Sequence, residues 1–241
     1  MIFIFDVDGT LTPSRSLIDP HFYKWFSRWT AYQQQRQNQV WLISGSDYPK
    51  TVEQMGQDLV DSVDRCYNCM GNTLYMNKQT VYERQFDLTP ELKEFLELQL
   101  ETSAYPERYG NHIEQRPGMI NFSIVGRGAV GQQRTDYYLW DQQQGERARL
   151  TEEINTKFRS LNIQAHVGGE TGLDITKTGW DKGQIVSEIN EPAIFFGDKM
   201  NPGENDYPLR KALAQHNCGF KHKSYHVDNW SNTMSWISSY M

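Results

Sequence analysis

Cysteine is scarce in this chain of 241 residues: there are three, Cys66, Cys69 and Cys218. Three thiols cannot build a disulfide framework, and their scarcity points to a reducing compartment. Cys66-x-x-Cys69 has no second cysteine or histidine pair at ligand spacing, so no zinc centre is expected. No apolar run approaches the ~20 residues that span a bilayer. The first such run is short and ends in an aspartate, which does not suit a signal peptide. Positive charge is also in short supply. With 24 lysines and arginines against 30 acids the net charge is −6, which gives no footprint for nucleic acid or an anionic membrane. What remains is 38% hydrophobic and 13% aromatic, enough for a packed core rather than a disordered chain. A soluble, cytoplasmic protein of one large domain or two modest ones is expected.

The most informative segment is the first. Ile2-Phe3-Ile4-Phe5 reads as a short strand buried on both faces, and it runs into Asp6-Val7-Asp8-Gly9-Thr10. Open α/β sheets place their ligands at the C-terminal ends of strands. Alternate residues of an extended segment point the same way, so Asp6 and Asp8 are expected to face one pocket. Oxygen ligands of this kind suit Mg²⁺, which offsets the repulsion between carboxylate and phosphate.

Further along, Ile18, Phe22, Trp25, Phe26 and Trp29 recur at helical spacing behind Asp19-Pro20. Val40-Trp41-Leu42-Ile43 is a second buried strand, with Ser44 at its end, where a hydroxyl and backbone N–H groups can meet an anion. A helical pattern follows from Lys50 to Leu59, then a pair of short strands ending near Tyr82. From Glu83 the texture changes to an amphipathic helix over 90–103, alternating strands around 112–124, a helix over 147–161 and two short strands near 164–167 and 173–175. This block lacks βαβ rhythm and reads as an inserted α+β domain. Parallel-sheet grammar resumes with a helix from Asp181-Lys182, the strand Ala193-Ile194-Phe195-Phe196 and Gly197-Asp198. The fold class is therefore α/β. A Rossmann-like core with a parallel sheet is formed by residues 1–80 and 178–241, with an α+β insertion over 81–177.

Four polar signals fall at strand ends or helix starts: Asp6 with Asp8, Ser44, Lys182, and Asp198 with Asp206. Phosphoryl transfer needs these residue types. A carboxylate can attack phosphorus, and a second can protonate the leaving oxygen. A hydroxyl and an ammonium can hold the non-bridging oxygens, and a further carboxylate completes a Mg²⁺ site.

In this order the motifs resemble those of the haloacid dehalogenase superfamily. That resemblance implies Asp6 as nucleophile and Asp8 as acid/base, the Asp8 main-chain carbonyl also touching Mg²⁺. It implies that Ser44 and Lys182 hold the phosphoryl group, and that Asp198 ligates the metal with Asp206 nearby. A narrower match lies in Asp6-Val7-Asp8-Gly9-Thr10-Leu11-Thr12, Arg116-Pro117-Gly118-Met119-Ile120-Asn121, Gly126-Arg127, Gly179-Trp180-Asp181-Lys182, Phe195-Phe196-Gly197-Asp198-Lys199 and Pro202-Gly203-Glu204-Asn205-Asp206. These runs look like the eukaryotic-type phosphomannomutases.

In that family the insertion is a cap that closes over the substrate, and its arginines grip the phosphate remote from the metal. The matching positions are Arg116, Arg127 and Arg134, with Asn121 and Asp174 on the sugar and Arg15 from the core. Three arginines within nineteen residues of an acidic protein, read as lying on alternating strands, form an unusual concentration, and arginine's planar fork suits bidentate phosphate contact. Gly172 stands where the family carries a serine, and Pro117 and Glu204 also depart from its pattern.

The resemblance implies Mg²⁺-dependent interconversion of mannose 6-phosphate and mannose 1-phosphate, primed by a hexose 1,6-bisphosphate, in a homodimer formed through the cap. Two rival readings use the same residues. One is a sugar-phosphate phosphatase with water as the final acceptor; the other is a non-catalytic sugar-phosphate-binding protein.

Overall fold

The computed structural model describes residues 1–241, which form two compact units: Met1–Glu83 with Trp180–Met241, and Arg84–Gly179. No helix is long and apolar enough to cross a membrane.

The first unit is built on a seven-stranded sheet. Its strands are β1 (Ile2–Asp6), β2 (Gln39–Ile43), β3 (Arg65–Asn68), β4 (Thr73–Met76), β5 (Gln79–Glu83), β10 (Ala193–Gly197) and β11 (Lys223–His226), in the order β11-β10-β1-β2-β3-β4-β5. β11, β10, β1, β2 and β3 are mutually parallel, and β4 and β5 add an antiparallel edge. β1 lies between β10 and β2, so its apolar run is covered on both faces. The pleat divides it: Phe3 and Phe5 pack with Phe22, Phe26 and Trp29 of α1 (Pro20–Gln35), while Ile2 and Ile4 join Trp41, Ile43 and Phe195 on the other side. Phe5 stacks on Phe196 at 5.1 Å and meets Trp29 edge-on at 5.7 Å. Offset and edge contacts of this kind add to simple area burial. Asp19 starts α1, its carboxylate accepting from the N–H groups of His21 and Phe22, which satisfies donors the helix leaves open.

The Lys50–Leu59 pattern is two helices, α2 (Tyr48–Met55) and α3 (Gln57–Ser62), divided at Gly56, whose φ of +80° no α-helix accommodates. The segment opening at Lys182 is a 3₁₀ turn over Lys182–Glu188 rather than an α-helix. It packs against the start of α7 (Tyr207–Gln215) so closely that a Cβ on Gly183 would lie 2.9 Å from the Pro208 carbonyl oxygen. A closing helix, α8 (Trp230–Ser238), has no counterpart in the sequence reading.

The second unit has a four-stranded antiparallel sheet: β6 (Ile113–Arg116), β7 (Met119–Phe122), β9 (Gly172–Lys177) and β8 (Ile163–Gly168), in that spatial order. Its helices are α4 (Pro90–Thr102), α5 (Gln132–Gln144) and α6 (Glu146–Lys157). α5 went unread because only Tyr137 and Asp141 are buried on it, so no apolar stripe marks it. Register separates the two faces of the sheet. Ile120, Ile175 and Ala165 align in a buried apolar row, whereas Glu114, Asn121, Asp174 and His166 align in a polar one.

Candidate active site

β1 delivers Asp6 to the C-terminal edge of the parallel sheet, where its carboxylate is buried. Lys182 lies between two acids, its Nζ 2.5 Å from Asp6 Oδ1 and 2.7 Å from Asp206 Oδ1. All three groups are withdrawn from water. Asp206 reaches this position because its second oxygen accepts from the Lys199 N–H at 3.1 Å, while its own N–H donates to the Lys199 carbonyl. Asp198 follows the end of β10. Gly9 makes room for it: a Cβ there would fall 2.3 Å from Asp198 Oδ2, and Gly9 has a φ of +81°. Both facts require glycine.

Asp6, Asp198 and Asp206 present carboxylate oxygens all within 4.8 Å of one another. Three carboxylates against the ammonium groups of Lys182 and of Lys199, which lies 3.5 Å from Asp198 Oδ2, leave one negative charge in excess. An all-oxygen donor set with that charge fits a hard divalent cation. The electrostatics agree. Burial first, then the Asp206 charge, raise the Asp6 pKa well above the carboxylate range, against the pull of Lys182. Burial and Asp206 push Asp198 up to about 6. Burial works against the Lys182 ammonium, but Asp206 and Asp6 outweigh it and hold its pKa above the usual value.

A raised carboxylate pKa means that the folded protein binds more protons than the unfolded chain, so this contribution to stability falls as pH rises from about 4 to about 6. A cation competes with that proton. Below about pH 6 its affinity is expected to fall about tenfold per pH unit. Calorimetric titration of metal-stripped protein with Mg²⁺ between pH 5 and 7 checks this; a constant affinity would contradict it.

Asp8 has separate partners. Its Oδ1 accepts from Gln54 Nε2 at 2.8 Å and from the Arg15 N–H at 2.5 Å, and its Oδ2 from Ser46 Oγ at 3.3 Å. The side chain is thus committed to hydrogen bonds, and what Asp8 could offer a cation is its main-chain carbonyl. Arg15 holds the loop to Asp8 from a left-handed backbone (φ +56°). Ser44, buried at the end of β2, accepts from the Ser46 N–H at 2.9 Å, which leaves its hydroxyl proton to donate. Gln54 was not read from the sequence. It is buried and bonds Asp8, Thr12 and the Ser16 carbonyl; its only signal was a glutamine on the inner side of a helical pattern.

In the second unit the three arginines do not lie on alternating strands. Arg116 ends β6, Arg127 lies in the loop after β7, and Arg134 is on α5. The loop is irregular because Gly126 and Gly128 close turns against Tyr109. Arg116 Nε and Arg127 Nε both sit 3.0 Å from Glu114 Oε2, whereas Arg134 pairs with Glu170 at 3.0 Å. Neither glutamate was singled out from the sequence. Asn121 Nδ2 donates to Asp174 Oδ1 at 2.7 Å, and both side chains are buried. A Cβ at Gly172 would come within 2.9 Å of Asn121 Nδ2, so the carboxamide fills the space in which a larger residue at 172 would stand.

Known proteins resemble this chain in sequence and in fold. The family model described as "Eukaryotic phosphomannomutase" matches residues 29–224, well over half of the chain, and leaves out the Asp6–Thr12 motif. A phosphomannomutase of Oryza sativa is 30% identical over 86% of this chain and 84% of its own length. Phosphomannomutase 1 of Mus musculus is 30% identical over 86% and 81%, and the Saccharomyces cerevisiae phosphomannomutase 29% over 86% and 83%. Among solved structures, the C-terminal domain of Candida albicans trehalose-6-phosphate phosphatase superposes with a TM-score of 0.61 at 18% identity, over 89% of this chain and 73% of that one. The Synechocystis sucrose-phosphatase superposes with a TM-score of 0.56 at 14% identity, over 100% and 97%. At such identities these two structures share a fold with the chain.

Proposed function

The chain belongs to the eukaryotic phosphomannomutase family, and from that premise we propose that it interconverts mannose 6-phosphate and mannose 1-phosphate through an aspartyl phosphate on Asp6. The observation that carries this reading is the buried Asp6–Lys182–Asp206 triplet with Asp198 at its edge. Lys182 engages Oδ1 of Asp6, so Oδ2 is the oxygen for attack on phosphorus. As the O–P bond forms, the bond from phosphorus to the sugar oxygen breaks, and Asp8 gives that oxygen its proton. In the other half-reaction Asp8 takes the proton of the free hydroxyl of a mannose monophosphate, which attacks the phosphoryl group, frees Asp6 and gives the 1,6-bisphosphate. Turned end for end, that bisphosphate returns its other phosphate to Asp6 and leaves as the isomeric monophosphate.

Ser44 and Lys182 hold the non-bridging oxygens through transfer. When bound, Mg²⁺ supplies charge against those oxygens and against Asp6; Asp6, Asp198 and Asp206 would hold it, with the main-chain carbonyl of Asp8. Burial pushes Asp6 toward its protonated, non-nucleophilic form, and Lys182 opposes this.

A mutase has a second requirement, a grip on the phosphate not undergoing transfer. Arg116, Arg127, Arg134 and Arg15 are assigned to it, with Asn121 and Asp174 on sugar hydroxyls and a hexose 1,6-bisphosphate as the priming donor. The same reading includes a homodimer through the inserted unit, for which Val130, Tyr138 and Leu139 offer exposed apolar surface. It places the protein in the cytoplasm, where its three free thiols would stay reduced.

The test is the product. Labelled mannose 1-phosphate should yield mannose 6-phosphate, faster with a trace of bisphosphate. Free phosphate as the main product would assign a sugar-phosphate phosphatase instead.

A further inference from the structure

A cluster remote from Asp6 has no part in this chemistry. α7 gives way at His216 to a loop that runs to His222, just before β11. His222 lies beside Ala193, the first residue of β10. Asp198 follows the last residue of the same strand, so the two sites are at opposite ends of the sheet.

Within the loop, Cys218 Sγ and His222 Nε2 are 3.1 Å apart, and the rings of His216 and His222 stack at 5.3 Å with 13° between their planes. One ligand atom from each of His216, Cys218 and His222 falls within 4.8 Å of the others. The Nδ1 of His216 is buried without a hydrogen-bond partner. All three residues are half-buried, so an ion can reach them from solvent. Burial and the neighbouring His216 lower the pKa of His222, which favours the neutral ring that metals bind.

We propose that His216, Cys218 and His222 form a second cation site, for a divalent ion of the zinc class, with the fourth coordination position open to water. The donor set decides the class. Two imidazoles and a thiolate select a borderline-soft ion, whereas the all-oxygen site at Asp6 selects a hard one. Cys66 is no competitor, because burial pushes its thiol up to about 12.

The proton count is definite. The Ala193 N–H donates to His222 Nδ1 at 3.1 Å, which places the proton of the neutral ring on Nε2. Ligation through Nε2 moves that proton to Nδ1 and releases the Ala193 hydrogen bond. The Cys218 thiol proton goes to solvent, so one proton leaves per ion bound. A neutral hydrogen bond is exchanged for bonds from the cation to nitrogen and sulfur. The ion would tie the end of α7 to the start of the edge strand β11.

Cobalt(II) is the probe, because a thiolate ligand gives it a near-ultraviolet charge-transfer band that oxygen ligands do not. Full-length protein stripped by chelator and titrated with Co²⁺ in excess Mg²⁺ should develop that band at one equivalent per chain. Cys218→Ser should abolish the band, and His216→Ala should weaken binding about tenfold or more. Absence of the band in the wild-type protein at saturating Co²⁺ overturns the proposal without recourse to a variant, and so does its survival in Cys218→Ser.

Discussion

Asp6→Asn is expected to reduce sugar-phosphate turnover by about 10⁴-fold or more, the scale on which loss of a covalent nucleophile is felt, while the protein becomes no less stable. The two halves of this expectation have one cause. Burial and the Asp206 charge raise the Asp6 pKa, so at neutral pH its ionisation works against the folded state. An asparagine keeps an oxygen to accept from Lys182 without carrying the charge. Acid-quenched wild-type protein exposed to the bisphosphate should retain phosphate, and the variant should retain none. Thermal melting of both in chelator reads the stability side. A variant that keeps its rate, or that carries trapped phosphate, removes Asp6 from the role of nucleophile. A variant that is inactive only because it melts many degrees lower would leave the kinetic loss without mechanistic meaning.

Lys182→Met carries the other large effect, and here activity and stability should fall together. Lys182 is fully buried and is the partner of two carboxylates in the same environment, at 2.5 and 2.7 Å. Methionine keeps the apolar stem and deletes the charge. Removing one partner of a buried pair costs about 3–5 kcal/mol, because the remaining charge is uncompensated. The loss should shrink as pH falls, since Asp6, whose pKa burial already raises, escapes the penalty by protonating. It should also shrink when Mg²⁺ is added, because the ion replaces the missing positive charge. Urea denaturation at pH 5 and 7.5, with and without Mg²⁺, separates these terms. A loss independent of both pH and Mg²⁺ would show that packing, not charge, is what Lys182 contributes. Combining it with Asp6→Asn should restore part of the stability, because the coupled variant leaves one buried carboxylate rather than two.

The inserted unit shows where the sequence became hard to read. A helix such as α1 was evident from a stripe of Phe22, Phe26 and Trp29, all of which the structure buries. α5 carries five glutamines at its ends and buries two residues, so periodicity had nothing to register. Strand alternation near 112–124 ends with β7, so Arg127 lies on a loop and Arg134 on α5. Irregular backbone held by Tyr109, Gly126 and Gly128 leaves no trace in a hydropathy pattern. Glu114, which gathers Arg116 and Arg127, is two residues from one and thirteen from the other; only strand pairing and a turn bring the second into reach. The same holds for His216, Cys218 and His222. The sequence offered no ligand pair of familiar spacing, and a loop between helix and strand produced the cluster.

The amino-acid order alone determined that a strand buried on both faces ends in Asp6-Val7-Asp8-Gly9. It also determined that the acids and the lysine of Asp198, Asp206 and Lys182 belong to the ends of such elements. These are local properties, set by side-chain volume, alternation and turn chemistry within a few residues. Which charges meet was left to the tertiary structure. Lys182 is 176 residues from Asp6 and 24 from Asp206, and no local rule couples residues so far apart. The parallel register of β10 beside β1 and the tight 3₁₀ turn against α7 bring them within hydrogen-bonding distance. Burial there, away from water, gives the resulting charges their altered pKa values.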